Sequence, residues 1–286
     1  MKMNYIKKSI IGTFAISMFT LSTTQAAELF SDDFSDAIAS AANWSTRVNG
    51  STLSTFAFDG SDARLTEGNG GNADAMYRGF DLTTLAVGDS ITLTGKAYMN
   101  VSQATDFRVG FGYSATGISD SIGNLAVDLQ GYSMALASGT NEGGPQIYVN
   151  RDDTADINYF RNSSAIRGLA FTAGTQISAD TATPTWSDFS FTLEHKPDGR
   201  IYFTGSVNGV ALSDQNSGGT IVNYDGGVTQ LTQFNYVGLS GNALGEGNYI
   251  VWDDIAVTAI PEPSAFALIL SSLAAFVVVR RRKLRG

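Results

Sequence analysis

The chain has 286 residues, no cysteine, one histidine and a formal net charge of −9. The missing cysteine excludes disulfides, thiolate metal sites, a cysteine nucleophile and a lipoprotein anchor. The acidic balance excludes the basic surface that nucleic-acid binding requires.

In chain order, Lys2, Lys7 and Lys8 precede the apolar run Ser9–Leu21, and small residues follow up to Ala27. This is the layout of a secretory signal peptide. Thr24 and Ala26 fit the small-x-small rule, so residues 1–26 are read as a signal handled by signal peptidase and the secretion machinery. The segment 27–260 is then the exported domain. It carries ten basic against twenty-six acidic side chains, a net charge of −16. That suits a neutral glycan, calcium or plain solubility, and disfavours anionic polymers held by ion pairing.

From Leu29 onward the pattern is that of strands. Leu29–Phe34 opens, and Ala37–Trp44 fits one helical turn or a loop. Thr52–Phe58 and Ala63–Thr66 flank the turn sequence Asp59-Gly60-Ser61-Asp62. Ala75–Leu82, Ser90–Asn100, Phe107–Tyr113, Tyr132–Ala137 and Gln146–Asn150 follow as strands. Phe189–Lys196 and Arg200–Val207 alternate across Pro197-Asp198-Gly199, a strong hairpin signal. Asn235–Ser240 and Tyr249–Ala259 close the domain. Ten to fourteen strands with almost no helix predict an all-β sandwich or jelly roll. Gly95, Gly110 and Gly112 inside strands predict bends or bulges.

The order of these runs resembles a concanavalin/laminin-G-like jelly roll: LFSDDFSD at the start, FTLEHKPDGRIYFTGSVNG late, VWDDIAV at the end. The resemblance implies that the first and last strands pair in one sheet.

The last 26 residues, 261–286, have a different character. Pro261-Glu262-Pro263 leads into the uncharged run Ala265–Val279, and Arg280, Arg281, Arg282, Lys283 and Arg285 close the chain. Fifteen helical residues reach only about 22 Å, short of a roughly 30 Å hydrocarbon core, so a helix over about 264–280 spans marginally. Its basic end is expected on the cytoplasmic side. This arrangement resembles the PEP-CTERM sorting signal of Gram-negative, biofilm-forming bacteria. The resemblance implies exosortase as a partner, transient membrane anchoring, and a final place at the cell surface or in the extracellular matrix.

Candidate chemistry is sparse. His195, the sole histidine, lies inside an alternating strand, and no strand carries the spaced acidic pair of a jelly-roll glycosidase, so no enzyme is expected. Asp32, Asp33 and Asp36 near the start and Asp253 and Asp254 near the end converge if the terminal strands pair, and calcium would need 6–8 oxygens there. Adjacent strand residues face opposite ways, so only one of Asp253 and Asp254 could serve one site. Asp152, Asp153 and Asp156 form a second acidic group. Tyr148, Tyr159, Trp186 and Tyr224, aromatics near polar loop residues, are the candidates for stacking on sugar rings. The sequence thus points to an exported, non-enzymatic module that binds extracellular polysaccharide. The alternative is a matrix or adhesion protein without a small-ligand site, and a polysaccharide hydrolase is a distant third.

Overall fold

The structure, a computed structural model, describes residues 26–47, 54–68, 73–100, 106–115, 117, 130–137, 146–150, 185–212, 222–223, 230–242 and 246–262. Residues 1–25 of the expected signal, Pro263, the apolar stretch 264–280 with its basic end, Tyr159, Tyr224 and the Asp152 group lie outside them. Among the described residues no helix is long and apolar enough to cross a membrane. Residues 25–262 form one compact unit.

Fifteen strands are described, one more than the upper expectation, with a single helix. They are β1 (Ala27–Asp32), β2 (Ser45–Arg47), β3 (Thr55–Phe58), β4 (Ala63–Thr66), β5 (Ala73–Thr84), β6 (Ser90–Asn100), β7 (Asp106–Tyr113) and β8 (Gln130–Ala137). β9 (Gln146–Asn150), β10 (Ser187–His195), β11 (Ile201–Val207), β12 (Val210–Ala211), β13 (Val222–Asn223), β14 (Gln233–Asn242) and β15 (Tyr249–Ile260) follow. The helix α1 (Ala37–Asn43) realises the helical option for that segment. Asp36 caps it, its carboxylate accepting from the Ile38 and Ala39 N–H groups.

Two antiparallel sheets pack face to face. One has nine strands in the order β12-β11-β10-β6-β15-β4-β3, with β1 on β15 and β13 on β11; the other has six, β2-β5-β14-β7-β8-β9. β1 pairs with β15, Asp32 standing opposite Ile255, so the first and last strands do meet. The expected hairpin is β10–β11, in register from Phe189↔Val207 to His195↔Ile201.

Alternation decides which side chains enter the core. β6 buries Ile91, Leu93, Ala97 and Met99 while Thr92, Thr94, Lys96, Tyr98 and Asn100 face outward. β7 sends Phe107, Val109 and Phe111 inward, all fully buried. Aromatic pairs cross the sandwich: Phe111 stacks on Phe191 at 6.0 Å, and Phe107 meets Trp252 edge-on at 6.4 Å. On the outer side of the six-stranded sheet, Arg108, Ser133 and Ser240 are buried too. The outer face of the nine-stranded sheet is half exposed.

Two of the strand glycines mark close approaches. A Cβ on Gly110 would lie 2.4 Å from the Tyr132 carbonyl oxygen on the neighbouring strand. A Cβ on Gly95 would lie 2.4 Å from Ile255 Cδ1 and 2.8 Å from Phe189 Cζ. Gly95 sits opposite a β-bulge. The β15–β6 register jumps between Asp253↔Lys96 and Ala256↔Thr94, and Asp254 takes a left-handed φ of 50°. The bulge shifts the buried phase of β15 from Ile250 and Trp252 to Ile255 and Val257.

Candidate functional site

Asp32, Asp33 and Asp254 line one cleft of about 490 Å³ at the β1–β15 seam, together with Arg78 and the end of α1. The expected convergence of the terminal acids therefore occurs. Their bonding does not fit calcium. Asp32 Oδ1 accepts from the Phe34 N–H and the Ser40 hydroxyl, both at 2.9 Å. Its Oδ2 accepts from Trp44 Nε1 at 2.9 Å and from Arg78 Nη1 at 2.6 Å. Both oxygens are filled by protein donors, and a guanidinium already balances the charge. Asp33 accepts from the Ser35 N–H in an exposed turn, which holds its carboxyl below the usual range, Ser35 being the main cause. Asp253 accepts from the Asp254 N–H, and Asp254 is ion-paired to Lys96 at 2.5 Å. Among the described residues no group of three or more His, Asp or Glu side chains is arranged to hold a metal. The acids expected to hold calcium, Asp32, Asp33, Asp253 and Asp254, are engaged here as turn, bulge and clasp residues.

The same bonding gives Asp32 a different task. Asp32 belongs to the nine-stranded sheet and Arg78 to the six-stranded one. Their ion pair joins the two layers at the edge of the core, with the Arg78 guanidinium also 4.5 Å over the Phe30 ring.

The aromatic candidates separate. Tyr148 lies on β9, an outer strand of the six-stranded sheet. Trp186 immediately precedes β10 in the other sheet and is 38% exposed. It packs edge-on against Tyr98 with ring centroids 4.6 Å apart, and Tyr98 packs edge-on against Tyr249 at 6.4 Å. The register explains the grouping. Ser187 opposes Ala97, which puts Trp186 beside Tyr98, and Tyr98 opposes Val251 next to Tyr249. Arg64, opposite Val251 on β4, lies 4.4 Å over the Tyr249 ring. Asn100 Nδ2 donates to the Tyr249 hydroxyl at 2.9 Å.

Asp62 and Asp253 border this group. Burial pushes both carboxyls above the usual range, helped by Asp59 and Asp253 for Asp62 and by Asp254 and Asp33 for Asp253. Burial also raises the Tyr98 phenol. The result is three rings, one guanidinium and an amide on the open side of a sheet, an arrangement that can stack on apolar ring faces and bond hydroxyls. Sequence patterning singles out Trp186 and passes over Tyr98 and Tyr249. The available signal was phase: Tyr98 occupies an outward position of β6, whose neighbouring outward residues Thr92, Thr94, Lys96 and Asn100 are polar.

His195 serves the fold. Its Nδ1 lies 2.9 Å from the Leu85 carbonyl oxygen, and its backbone pairs with the Gly88–Asp89 turn. Of the expected sorting motif, Pro261 and Glu262 are described, and the Glu262 N–H donates to Asp89 Oδ1 at 2.8 Å.

No protein-family profile matches the chain, and no curated protein matches it. Among solved structures, a protein of unknown function with galectin-like fold from Bacillus subtilis superposes with a TM-score of 0.51 at 12% identity, covering 82% of this chain and 98% of that one. The potassium-bound carbohydrate recognition domain of Emp46p gives 0.47 at 10% identity, over 80% and 95% of the two chains. Alginate lyase Aly36B gives 0.42 at 11% identity, over 81% and 96%. The chain is an all-β sandwich of galectin-like fold.

Proposed function

We propose that the domain is a non-catalytic carbohydrate-binding module whose ligand lies on the Tyr98–Trp186–Tyr249 platform. The fold by itself leaves the ligand open. The carrying observation is that three aromatic rings from β6, β15 and the start of β10 sit together on the half-exposed sheet face, flanked by Arg64 and Asn100. Single exposed aromatics are ordinary; a group assembled by cross-strand register with amide and guanidinium beside it has the composition of a polyol-binding surface. The strongly acidic domain favours an uncharged glycan. On an array of neutral glycans, Trp186→Ala and Tyr98→Ala should each weaken binding about tenfold or more, some 1.4 kcal/mol. Unchanged binding in both variants would overturn the platform. A wild-type domain that binds no glycan on the array favours the matrix or adhesion reading.

The module's route is part of the proposal. Residues 1–26 export it, and Pro261-Glu262-Pro263 with the apolar and basic tail anchors it until an exosortase cleaves near the motif. The domain is then left at the cell surface or in the polysaccharide matrix. Support comes from the residue pattern at both ends of the chain. Mass spectrometry of the mature protein from its host should give a C-terminus near residue 263. A mature mass that retains Arg280–Arg282 argues against processing.

A further inference from the structure

The outer face of the nine-stranded sheet holds more than the aromatic group. Beside it opens a cleft of about 450 Å³, bounded by Thr94, Lys96, Asp188, Ser190, Ser206 and Asp254. Lys96 lies two residues from Tyr98, and Asp188 two residues from Trp186, so cleft and platform share one face.

Three features build this cleft. Its floor is a set of hydroxyls fixed by cross-strand contacts: Ser190 and Ser206 are 2.7 Å apart, and Thr92 and Thr192, one row further, are 2.8 Å apart. One wall exists because of the β15 bulge, which turns Asp254 outward at a φ of 50°, where Lys96 Nζ donates to it at 2.5 Å. The rim carries one cation and two carboxylates, a balance that accepts an uncharged chain and repels a polyanion.

Building on the glycan-binding reading, we infer that the cleft continues the platform and that the ligand is a neutral oligosaccharide chain of several units. The platform holds one end by stacking. The Thr/Ser floor and the Lys96–Asp254 wall hold the following rings through their hydroxyls. The six steps along β6 from Tyr98 to Thr92 span about 20 Å, enough for several rings in a row.

The test is calorimetric titration of the full chain in detergent with neutral gluco-oligosaccharides of two, four and six units. Affinity should rise at least tenfold from two units to six. Lys96→Ala, at a side chain 40% exposed and outside the core, should remove the rise and leave disaccharide affinity near wild type. Ser206→Gln, which fills the cleft, should do the same, while Trp186→Ala should weaken every length. A flat length series, or a rise that survives both cleft variants, overturns the cleft and leaves the platform standing. No heat with any length overturns both readings and is told apart by the absent disaccharide signal.

Discussion

Asp32→Ala should cost about 3–5 kcal/mol, the range for removing one partner of a buried ion pair, and lower Tm by roughly 10 °C. The substitution does more than delete one contact. It leaves the Arg78 guanidinium, only 16% exposed, without its anion. It also strips acceptors from Trp44 Nε1, the Ser40 hydroxyl and the Phe34 N–H. The effect should therefore be strongly coupled: adding Arg78→Met to Asp32→Ala should cost less than the sum of the two single changes. Thermal unfolding of the four proteins, with and without a chelator, provides the measurement. A loss that millimolar calcium restores would return Asp32 to the role of a metal ligand. Additivity of the two changes would remove the clasp between the layers.

Trp252 should separate volume from hydrogen bonding. It is fully buried and among the largest core side chains, and its Nε1 finds no hydrogen-bond partner among the described residues. Trp252→Ala should cost about 3–5 kcal/mol through the cavity it leaves against Phe107. Trp252→Phe should cost far less. It keeps most of the ring contact, and it deletes a buried donor whose desolvation nothing offsets. Urea unfolding midpoints at constant m decide between the outcomes. If Phe proves as costly as Ala, the indole N–H is bonded after all.

These two residues also mark where the sequence is readable. Period-two alternation alone places Ile91, Leu93 and Met99 on the inner face of β6 and Phe107, Val109 and Phe111 on that of β7. It also sets the β10–β11 hairpin in register, because the Asp-Gly turn fixes the pairing. Trp252 follows from the same rule. The rule then breaks two residues later: a plain strand would send Asp253 and Asp254 to opposite faces and continue, whereas the bulge resets the phase at Ile255. The slip is visible in Val251-Trp252-Asp253-Asp254-Ile255-Ala256-Val257, where the apolar beat changes from even to odd. Asp32 is legible as an acid near other acids, a pattern that suggests calcium. Its partners Ser40, Trp44 and Arg78 come from a helix and from the opposite layer, and no local pattern announces them. Tyr98 and Tyr249 become a platform only when β6, β10 and β15 adopt their register. β2, β12 and β13 are two or three residues long, too short to show a period.

The position of β15 has a further consequence for how the molecule comes to exist. The last strand of the domain is not an edge. It lies between β6 on one side and β4 and β1 on the other, and it supplies Ile250, Trp252, Ile255 and Val257 to the core. A chain delivered N-terminus first holds β6 and β4 as unpaired edges, and β1 without a partner, until its final strand arrives. Closure joins residues more than two hundred positions apart, a topology that loses its loop entropy before its contacts compensate and so folds slowly. The larger sheet therefore stays incomplete until residues 249–260 are available to pair with β6, β4 and β1.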